Sequence, residues 1–277
     1  MTALLYALNV LCSAGQSTLC KVYARHGGKS DVFNLWKALS AFALFLCIGL
    51  VRGMTLHAPT ALMGALYGIS LCASMYTGFA ALASGPMGLT GTIASLSLVI
   101  PFLFGVTVWK EPLTVSGLCG AALLTAAILL MNLRKERGVT LRWSLLAFGT
   151  MAANGVCSLI QKSHQLRFPG QYRVEFTIFA FLTVFLLLAA IGLSRKEPIS
   201  FTPCPAGCAV GVLNGGANFL VLYLAATQNA SVLFPMLSVT NVLAVCLIGR
   251  LCFREKLTRL QLLGLLSAVA AILLLNL

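Results

Sequence analysis

The sequence predicts an all-α membrane protein with ten transmembrane helices, arranged as two inverted repeats of five helices each. Composition is the first reason: hydrophobic residues make up 59% of the chain and charged residues only 9%, whereas a soluble domain carries roughly 25% charged residues. The second reason is the length of the apolar runs, because about 20 consecutive apolar residues cross a bilayer as a helix. The third is an internal duplication. Together these observations argue against a soluble domain and against the short alternating strands of a membrane β-barrel.

Ten apolar runs follow one another with short connections between them. They cover residues 2–20, 32–51, 59–83, 87–109, 113–133, 141–161, 174–193, 203–227, 230–252 and 257–277. No segment between the runs is long enough to fold as a soluble domain. We therefore expect every run to be a helix in the membrane.

The duplication is clearest between residues 85–133 and 229–277, which align without a gap at an offset of 144 residues. From Glu111 to Leu133, 12 of 23 positions are identical, and Glu111 corresponds to Glu255. Five helices per repeat is an odd number, so the second copy must enter the membrane from the opposite side. The repeats, 1–137 and 138–277, are thus predicted to be related by a two-fold axis in the membrane plane, which suits alternating access.

The net charge of +13 would suggest a nucleic-acid partner for a soluble protein. Here we assign it to loops that face anionic lipid, and we expect no nucleic acid to bind. The loops after odd-numbered segments carry 13 Lys and Arg residues and the other loops carry 5. This distribution favours cytoplasmic odd loops, with both termini outside, for a multi-pass protein that we expect in the cell (inner) membrane.

Polar side chains recur on one face of the first segment of each repeat. Asn9, Ser13 and Ser17 are spaced at about one helical turn, and Asn154 and Ser158 occupy corresponding positions in the sixth segment. A polar stripe in the same register of both repeats predicts a substrate cavity. The alternative is helix packing, because small polar residues also tighten helix contacts in lipid.

Charged residues are rare inside the predicted segments. Lys37 lies about two turns into the second segment, with Asn34 on the same face, and a charge within the membrane is costly enough to indicate a function. Glu175, near the start of the seventh segment, is the acidic residue of comparable depth, so an ion pair with Lys37 is one expectation. The alternative is that Lys37 reaches the membrane boundary, as we also expect for Lys21 and Lys162.

Two further sets of corresponding positions complete the predicted binding surface. They are Ser70 and Ser74 with Asn214 and Asn218 in the third and eighth segments, and Ser97 with Asn241 in the fourth and ninth segments. A buried Asn needs hydrogen-bond partners, which a ligand or another helix can supply. Pro101 is expected to weaken or kink the fourth helix.

The fifth and tenth segments are the most alike and the least polar. We predict that they form a scaffold or the contact of a homodimer. Glu111 and Glu255 at their starts are expected to act as helix caps, because a carboxylate at a helix N-terminus is favoured by the helix dipole.

Enzymatic chemistry has little support in the sequence. There are only six acidic residues and three histidines (His26, His57 and His164, which we place in loops), so acid–base and metal catalysis lack their usual groups. The ten cysteines are scattered without a disulfide or metal-binding pattern. We predict no catalytic residue, no metal site and no cofactor.

The chain resembles a known transporter family at the end of each repeat. WKEPLTVSGLCGAALLTAAILLMN and FREKLTRLQLLGLLSAVAAILLLN resemble the signature of the EamA family, within the drug/metabolite transporter superfamily. The resemblance implies a central cavity lined by helices 1–4 and 6–9, with helices 5 and 10 set apart. It also implies cytoplasmic termini, which disagrees with the charge distribution, so the orientation stays open.

Three transport functions fit this reading. The first is a secondary carrier for a small polar solute, amino acid-like or otherwise anionic or zwitterionic, because no acidic residue lies in mid-membrane. The second is multidrug efflux, against which stands the absence of a Glu from the first and sixth segments. The third is a flippase for a lipid-linked sugar, on which the sequence is silent. No GxxxxGK[ST] motif is present, so ATP is not expected to drive transport directly.

Overall fold

The computed structural model describes residues 2–26, 30–84, 93–94, 96–112, 115–132, 140–193 and 203–253, together with Thr90 and a few residues between 263 and 274. In chain order its helices are α1 (Thr2–Arg25), α2 (Ser30–Arg52), α3 (Ala58–Ser84), α4 (Val99–Thr107), α5 (Val115–Asn132), α6 (Leu141–Arg167), α7 (Arg173–Leu193), α8 (Pro205–Ala225) and α9 (Ala230–Phe253). No strand occurs among these residues.

The helices agree with nine of the ten predicted segments. Six of them, α1, α2, α3, α6, α7 and α8, contain stretches long and apolar enough to cross a membrane. The all-helical, multi-pass character is therefore confirmed. The tenth segment lies mostly outside the described residues, so the ten-helix layout and the inverted repeat stay predictions.

Two helices depart from the predicted boundaries. A 3₁₀ turn, Leu96–Leu98, directly precedes α4, and Pro101 occupies the first turn of α4, where a missing N–H is tolerated. The other departure is α6, which continues to Arg167 although its apolar run ends at residue 161. The placement of His164 in a loop is therefore wrong: this residue lies in α6 and is fully buried.

The chain forms two compact units. The first unit contains Met1–Cys72 and Ile160–Thr227, and the second contains Ala73–Leu159 and Gln228–Leu277. Each unit combines residues from both halves of the sequence. The division into repeats at residues 137 and 138 describes a duplication and stays a prediction.

In the first unit, α2 packs against α7 and α8, and α1 packs against α8. A row of glycines four residues apart, Gly207, Gly211 and Gly215, brings α8 close to α2. A Cβ atom at Gly207 would lie 2.8 Å from the Phe33 carbonyl oxygen, and one at Gly211 would overlap the Lys37 carbonyl. Small residues at this spacing are typical of tight helix pairs in lipid.

A second glycine pair joins α3 to α7. Cβ atoms at Gly64 and Gly68 would lie 2.8 Å and 2.6 Å from the carbonyl oxygens of Phe176 and Ala180. Both contacts are with backbone atoms, which cannot move aside. In the first unit, therefore, two pairs of helices, α2 with α8 and α3 with α7, lie close enough for backbone contact.

In the second unit, Glu111 caps the N-terminus of α9. Its carboxylate accepts hydrogen bonds from the backbone N–H of Ala230 (2.7 Å) and from the N–H and hydroxyl of Ser231 (both 2.9 Å). Gly105 makes room for this carboxylate, since a Cβ there would lie 2.7 Å from it. The expectation that Glu111 is a cap is confirmed, and among the described residues the helix that it caps is α9.

Candidate functional site

The candidate site in the first unit is a network of amide side chains on α1 and α8. Asn214 donates from Nδ2 to Gln16 Oε1 at 2.7 Å, and Asn218 Nδ2 donates to the Asn214 carbonyl at 2.9 Å. The Asn218 side-chain oxygen accepts from the Tyr67 hydroxyl and from Gln161 Nε2. We call these five residues the amide network. It connects four helices, α1, α3, α6 and α8, inside an apolar bundle.

Two atoms of the network have open hydrogen-bonding capacity. Gln16 Nε2 and Asn214 Oδ1 have no partner among the described residues, and both side chains are half-buried. One is a donor and the other an acceptor. Their juxtaposition offers a small polar solute the two kinds of hydrogen bond that an amide or carboxylate-bearing molecule needs.

The other predicted residues of α1 lie around this network. Asn9 is buried and donates from Nδ2 to the Ala217 carbonyl at 2.8 Å, so it joins α1 to α8. Ser17 donates to the Ser13 carbonyl within its own helix at 2.9 Å, and both serines are half-buried. Asn9 thus has a packing role.

Lys37 and Glu175 are not brought together. Lys37 lies in the second turn of α2, whereas Glu175 accepts a hydrogen bond from the N–H of Thr55, beyond the other end of that helix, at 3.4 Å. Fifteen residues separate Lys37 from the last residue of α2, which is about 22 Å along an α-helix. The expected ion pair is therefore wrong. Lys37 and Asn34 remain half-buried on α2.

Lys162 is buried within the first unit. Its ammonium group donates to the carbonyl of Ala225 at 3.1 Å, where α8 ends. A cation is favoured at a helix C-terminus. The expectation of snorkelling is wrong for this residue, and the side chain of Lys21 lies outside the described structure.

The second unit has a polar crossing of its own, between α3 and α6. Ser74 donates to Asn154 Oδ1 at 2.6 Å, and Thr150 donates to Thr77 Oγ1 at 3.0 Å. Ser158, one turn further along α6, donates to the Asn154 carbonyl at 3.3 Å. The predicted residues Ser74, Asn154 and Ser158 are thus gathered at one crossing.

Three predicted residues are less clearly placed in a site. Ser70 is half-buried and donates to the Leu66 carbonyl of its own helix at 3.0 Å. Ser97 lies in the 3₁₀ turn before α4. Asn241 on α9 has a buried side-chain oxygen without a hydrogen-bond partner in the described part of the chain. Such an atom is costly to bury, which singles out Asn241 within the second unit.

Glu175 belongs to a separate cleft of about 320 Å³ in the first unit. We call it the terminal cleft, because it lies where α2 ends and α7 begins. Its polar and aromatic walls are Arg52, Tyr172, Arg173, Glu175, Phe219 and Tyr223.

Sequence reasoning missed a buried chain of hydrogen bonds that leads to this cleft. Thr60 Oγ1 lies 2.9 Å from His57 Nδ1 and 3.1 Å from His164 Nε2. His164 Nδ1 lies 2.9 Å from Gln165 Nε2, and Gln165 Oε1 accepts from Arg173 Nε at 3.1 Å. We call these five residues the relay. Its one sequence signal is that polar residues continue in helical register beyond the apolar run of α6.

The described residues contain no group of three or more His, Cys, Asp or Glu side chains that could hold a metal ion. Cys204 caps α8, where its Sγ accepts a hydrogen bond from the Gly207 N–H at 3.4 Å.

Comparisons with known proteins bear on the fold and on the family. A solved crystal structure, titled only as that of a protein, superimposes with a TM-score of 0.80 over 99% of this chain and 95% of the other, at 16% identity. At that identity the likeness concerns the fold alone. No curated protein sequence matches. Residues 1–133 match the model of the EamA-like transporter family. The first half of the chain is therefore similar to this transporter family, in agreement with a multi-pass membrane protein whose described residues include six helices long and apolar enough to cross a membrane.

Proposed function

We propose that the protein is a secondary transporter that moves a small polar organic solute, amino acid-like or otherwise anionic or zwitterionic. In this proposal, the two sequence repeats open in turn to either side of the cell (inner) membrane, by alternating access through a cavity that they share. The amide network supplies hydrogen bonds to the solute, and Lys37 supplies positive charge.

The observation that carries the proposal is the amide network. Four amides and a phenol lie inside a helical bundle that is otherwise mostly apolar. Unpaired polar groups are costly in such surroundings, and Gln16 and Asn214 nevertheless keep a donor and an acceptor open. A solute that hydrogen-bonds to these two half-buried atoms would supply partners that the apolar surroundings lack.

Transport by the Asn214→Ala variant tests the proposal. The purified protein is reconstituted in liposomes, and counterflow of labelled amino acids and small organic acids is measured. We expect the wild-type protein to exchange at least one of them. Asn214→Ala should lower the initial rate about tenfold or more, because the solute and the half-buried Gln16 both lose a hydrogen-bond partner.

The matched control is Thr18→Val on α1. Among the described residues, its hydroxyl donates to the Ala14 carbonyl of the same helix, at 2.8 Å, so exchange should continue at the wild-type rate. Equal rates for Asn214→Ala and the wild type would show that the amide network does not bind the transported solute.

The rival functions predict different cargo. A multidrug carrier would move lipophilic cations, and a flippase would move a lipid-linked sugar between leaflets. Neither has a supporting contact among the described residues, and the acidic side chains Asp31, Glu111 and Glu175 all lie at helix ends or in a turn. If only lipophilic cations crossed the liposome membrane, the proposal would be wrong.

A further inference from the structure

The terminal cleft contains opposite charges that do not neutralise each other. Arg52, Arg173 and Glu175 all line it, yet no ion pair joins them in the described structure. The Glu175 carboxylate has one long contact, with the Thr55 N–H at 3.4 Å. Charged side chains normally form ion pairs or remain solvated. In this cleft the Glu175 carboxylate and the two guanidinium groups therefore remain open to solvent or to a ligand.

Arg173 is held in a fixed orientation. Its Nε donates to the buried Gln165, and its guanidinium carbon lies 4.1 Å above the ring of Tyr223. The terminal guanidinium nitrogens have no hydrogen bond to any described residue. A guanidinium that is fixed through Nε and stacked on a ring presents these remaining nitrogens as a fork, the geometry that binds a carboxylate or phosphate through two bonds.

The relay explains why this orientation is stable. Gln165 and His164 are fully buried, and Thr60 is buried with them. His57, at the far end, stacks on Tyr172 with ring centroids 4.3 Å apart and 5° between the planes. Tyr172 is itself a wall of the cleft. Both ends of the relay therefore touch the cleft, and each member limits the freedom of the next.

From this geometry we infer that the terminal cleft is a second binding site, for a small zwitterion. The anionic group of the ligand is bound by Arg173 with Arg52, and its ammonium group is bound by Glu175. Tyr223 and Phe219 form the apolar wall. A volume of about 320 Å³ suits a molecule of amino-acid size, at the lower end of ligand pockets. The cleft shares no residue with the amide network.

One ligand chemistry has two sources here. An ammonium and an anionic group a few atoms apart occur in a free amino acid and in the headgroup of an ethanolamine lipid. Both sources carry the two charged groups that the cleft would bind. The experiment therefore has an arm for each.

The test measures binding by calorimetry to the full-length protein in nanodiscs of phosphatidylglycerol, a lipid without an ammonium group. Glycine and 2-aminoethyl phosphate are the zwitterionic probes, and acetate and ethylamine carry one charge each. We expect both zwitterions to bind about tenfold or more tightly than either single-charge probe, because each lacks one charge-assisted contact. Acetate binding as tightly as glycine would overturn the proposal.

Variants assign the two charges. Arg173→Gln and Glu175→Gln should each reduce the affinity for glycine to that of the single-charge probes. Arg167→Gln and Asp31→Asn make the same charge changes at exposed positions outside the cleft and should leave the affinity unchanged. Arg173→Lys preserves the charge without the fork and should bind with intermediate affinity, which keeps the test informative if Arg173→Gln is poorly folded. Wild-type affinity in both glutamine variants would contradict the assignment.

The source is distinguished by adding phosphatidylethanolamine to the nanodiscs. A lipid headgroup in the cleft would abolish the binding of 2-aminoethyl phosphate by competition, whereas a free solute would bind with unchanged affinity. Asn214→Ala should bind glycine in the cleft like the wild type, so a failed transport assay and a failed cleft assay can be told apart.

Discussion

Glu111 shows what one side chain can do at a membrane helix terminus. Three donors at the start of α9 converge on its carboxylate, and hydrogen bonds that involve a charged group are stronger than neutral ones. In an apolar bundle, the first N–H groups of a helix have few other acceptors. Glu111 therefore fixes where α9 begins and connects it to the turn after α4.

Removal of this carboxylate should lower stability. We expect Glu111→Ala to decrease the free energy of unfolding by about 2 kcal/mol, because capping bonds with a charged acceptor are lost. Ser231→Ala removes one of the three bonds and should cost about 1 kcal/mol. Thermal or denaturant unfolding in detergent measures both, and equal stability of Glu111→Ala and wild type would show that the cap contributes nothing.

The close approach of α2 and α8 depends on three glycines of α8. Along α8, Gly207, Gly211 and Gly215 face backbone and side-chain atoms of α2, and Ser40 adds a hydrogen bond to the Cys208 carbonyl at 3.1 Å. In lipid, helix association depends on packing and interhelical hydrogen bonds, since the tails are as apolar as the helices. A methyl group added to this interface would therefore disturb the packing that holds α2 and α8 together.

Substitution of Gly211 should be the most disruptive change on α8. A Cβ there overlaps both Ser40 Oγ and the Lys37 carbonyl, and the carbonyl cannot move without α2. We expect Gly211→Ala to destabilise the protein by about 3 kcal/mol. On the same helix, Gly216→Ala meets only Cys12 Sγ at 3.7 Å, an ordinary contact, and should be neutral or slightly stabilising. Similar melting temperatures for the two variants would refute this difference.

Hydropathy predicted the helices well but their polar contacts poorly. The runs around α1, α2, α7 and α8 end within a few residues of the observed helices, because a long apolar stretch in lipid must satisfy its own backbone. The extension of α6 to Arg167 escaped prediction, since its last turns are polar and are buried by the relay. Long-range partners also escaped: nothing in the spacing of Asn214 and Asn218 identifies Gln16 or Tyr67 as their neighbours.

At the scale of the whole molecule, the inverted repeat can be tested by side-specific labelling. Within the first unit, the end of α6 contacts the start of α3 through Thr60 and His164, and α3 starts after the end of α2. An inverted repeat predicts that the ends of α1 and α6, which are equivalent positions, lie on opposite sides of the membrane.

Single cysteines at His26 and Arg167, both exposed, provide the probes in a background without the ten native cysteines. We expect a membrane-impermeant maleimide to label one position in right-side-out vesicles and the other in inverted vesicles. Labelling of both from the same side would contradict the repeat. The side from which the cysteine at position 26 is labelled also shows on which side of the membrane the termini lie. It thereby decides between the orientation that the charge distribution favours and the one that the family resemblance implies.

Dimerisation through the fifth and tenth segments stays a prediction. The exposed apolar residues of α5, such as Val115 and Leu118, suit either a second copy of the chain or lipid.

The bond between Asn9 and Ala217 has a consequence for biosynthesis. The two residues are 208 positions apart in the chain, so at about 5–20 residues per second the ribosome needs about 10–40 s to make the second after the first. During that interval the α8 residues that bond to Asn9 and Gln16 have not yet been made. The α8 glycines that contact α2 are also missing. A nascent chain halted before α8 therefore lacks the groups that Asn9 and Gln16 contact on α8 in the folded protein.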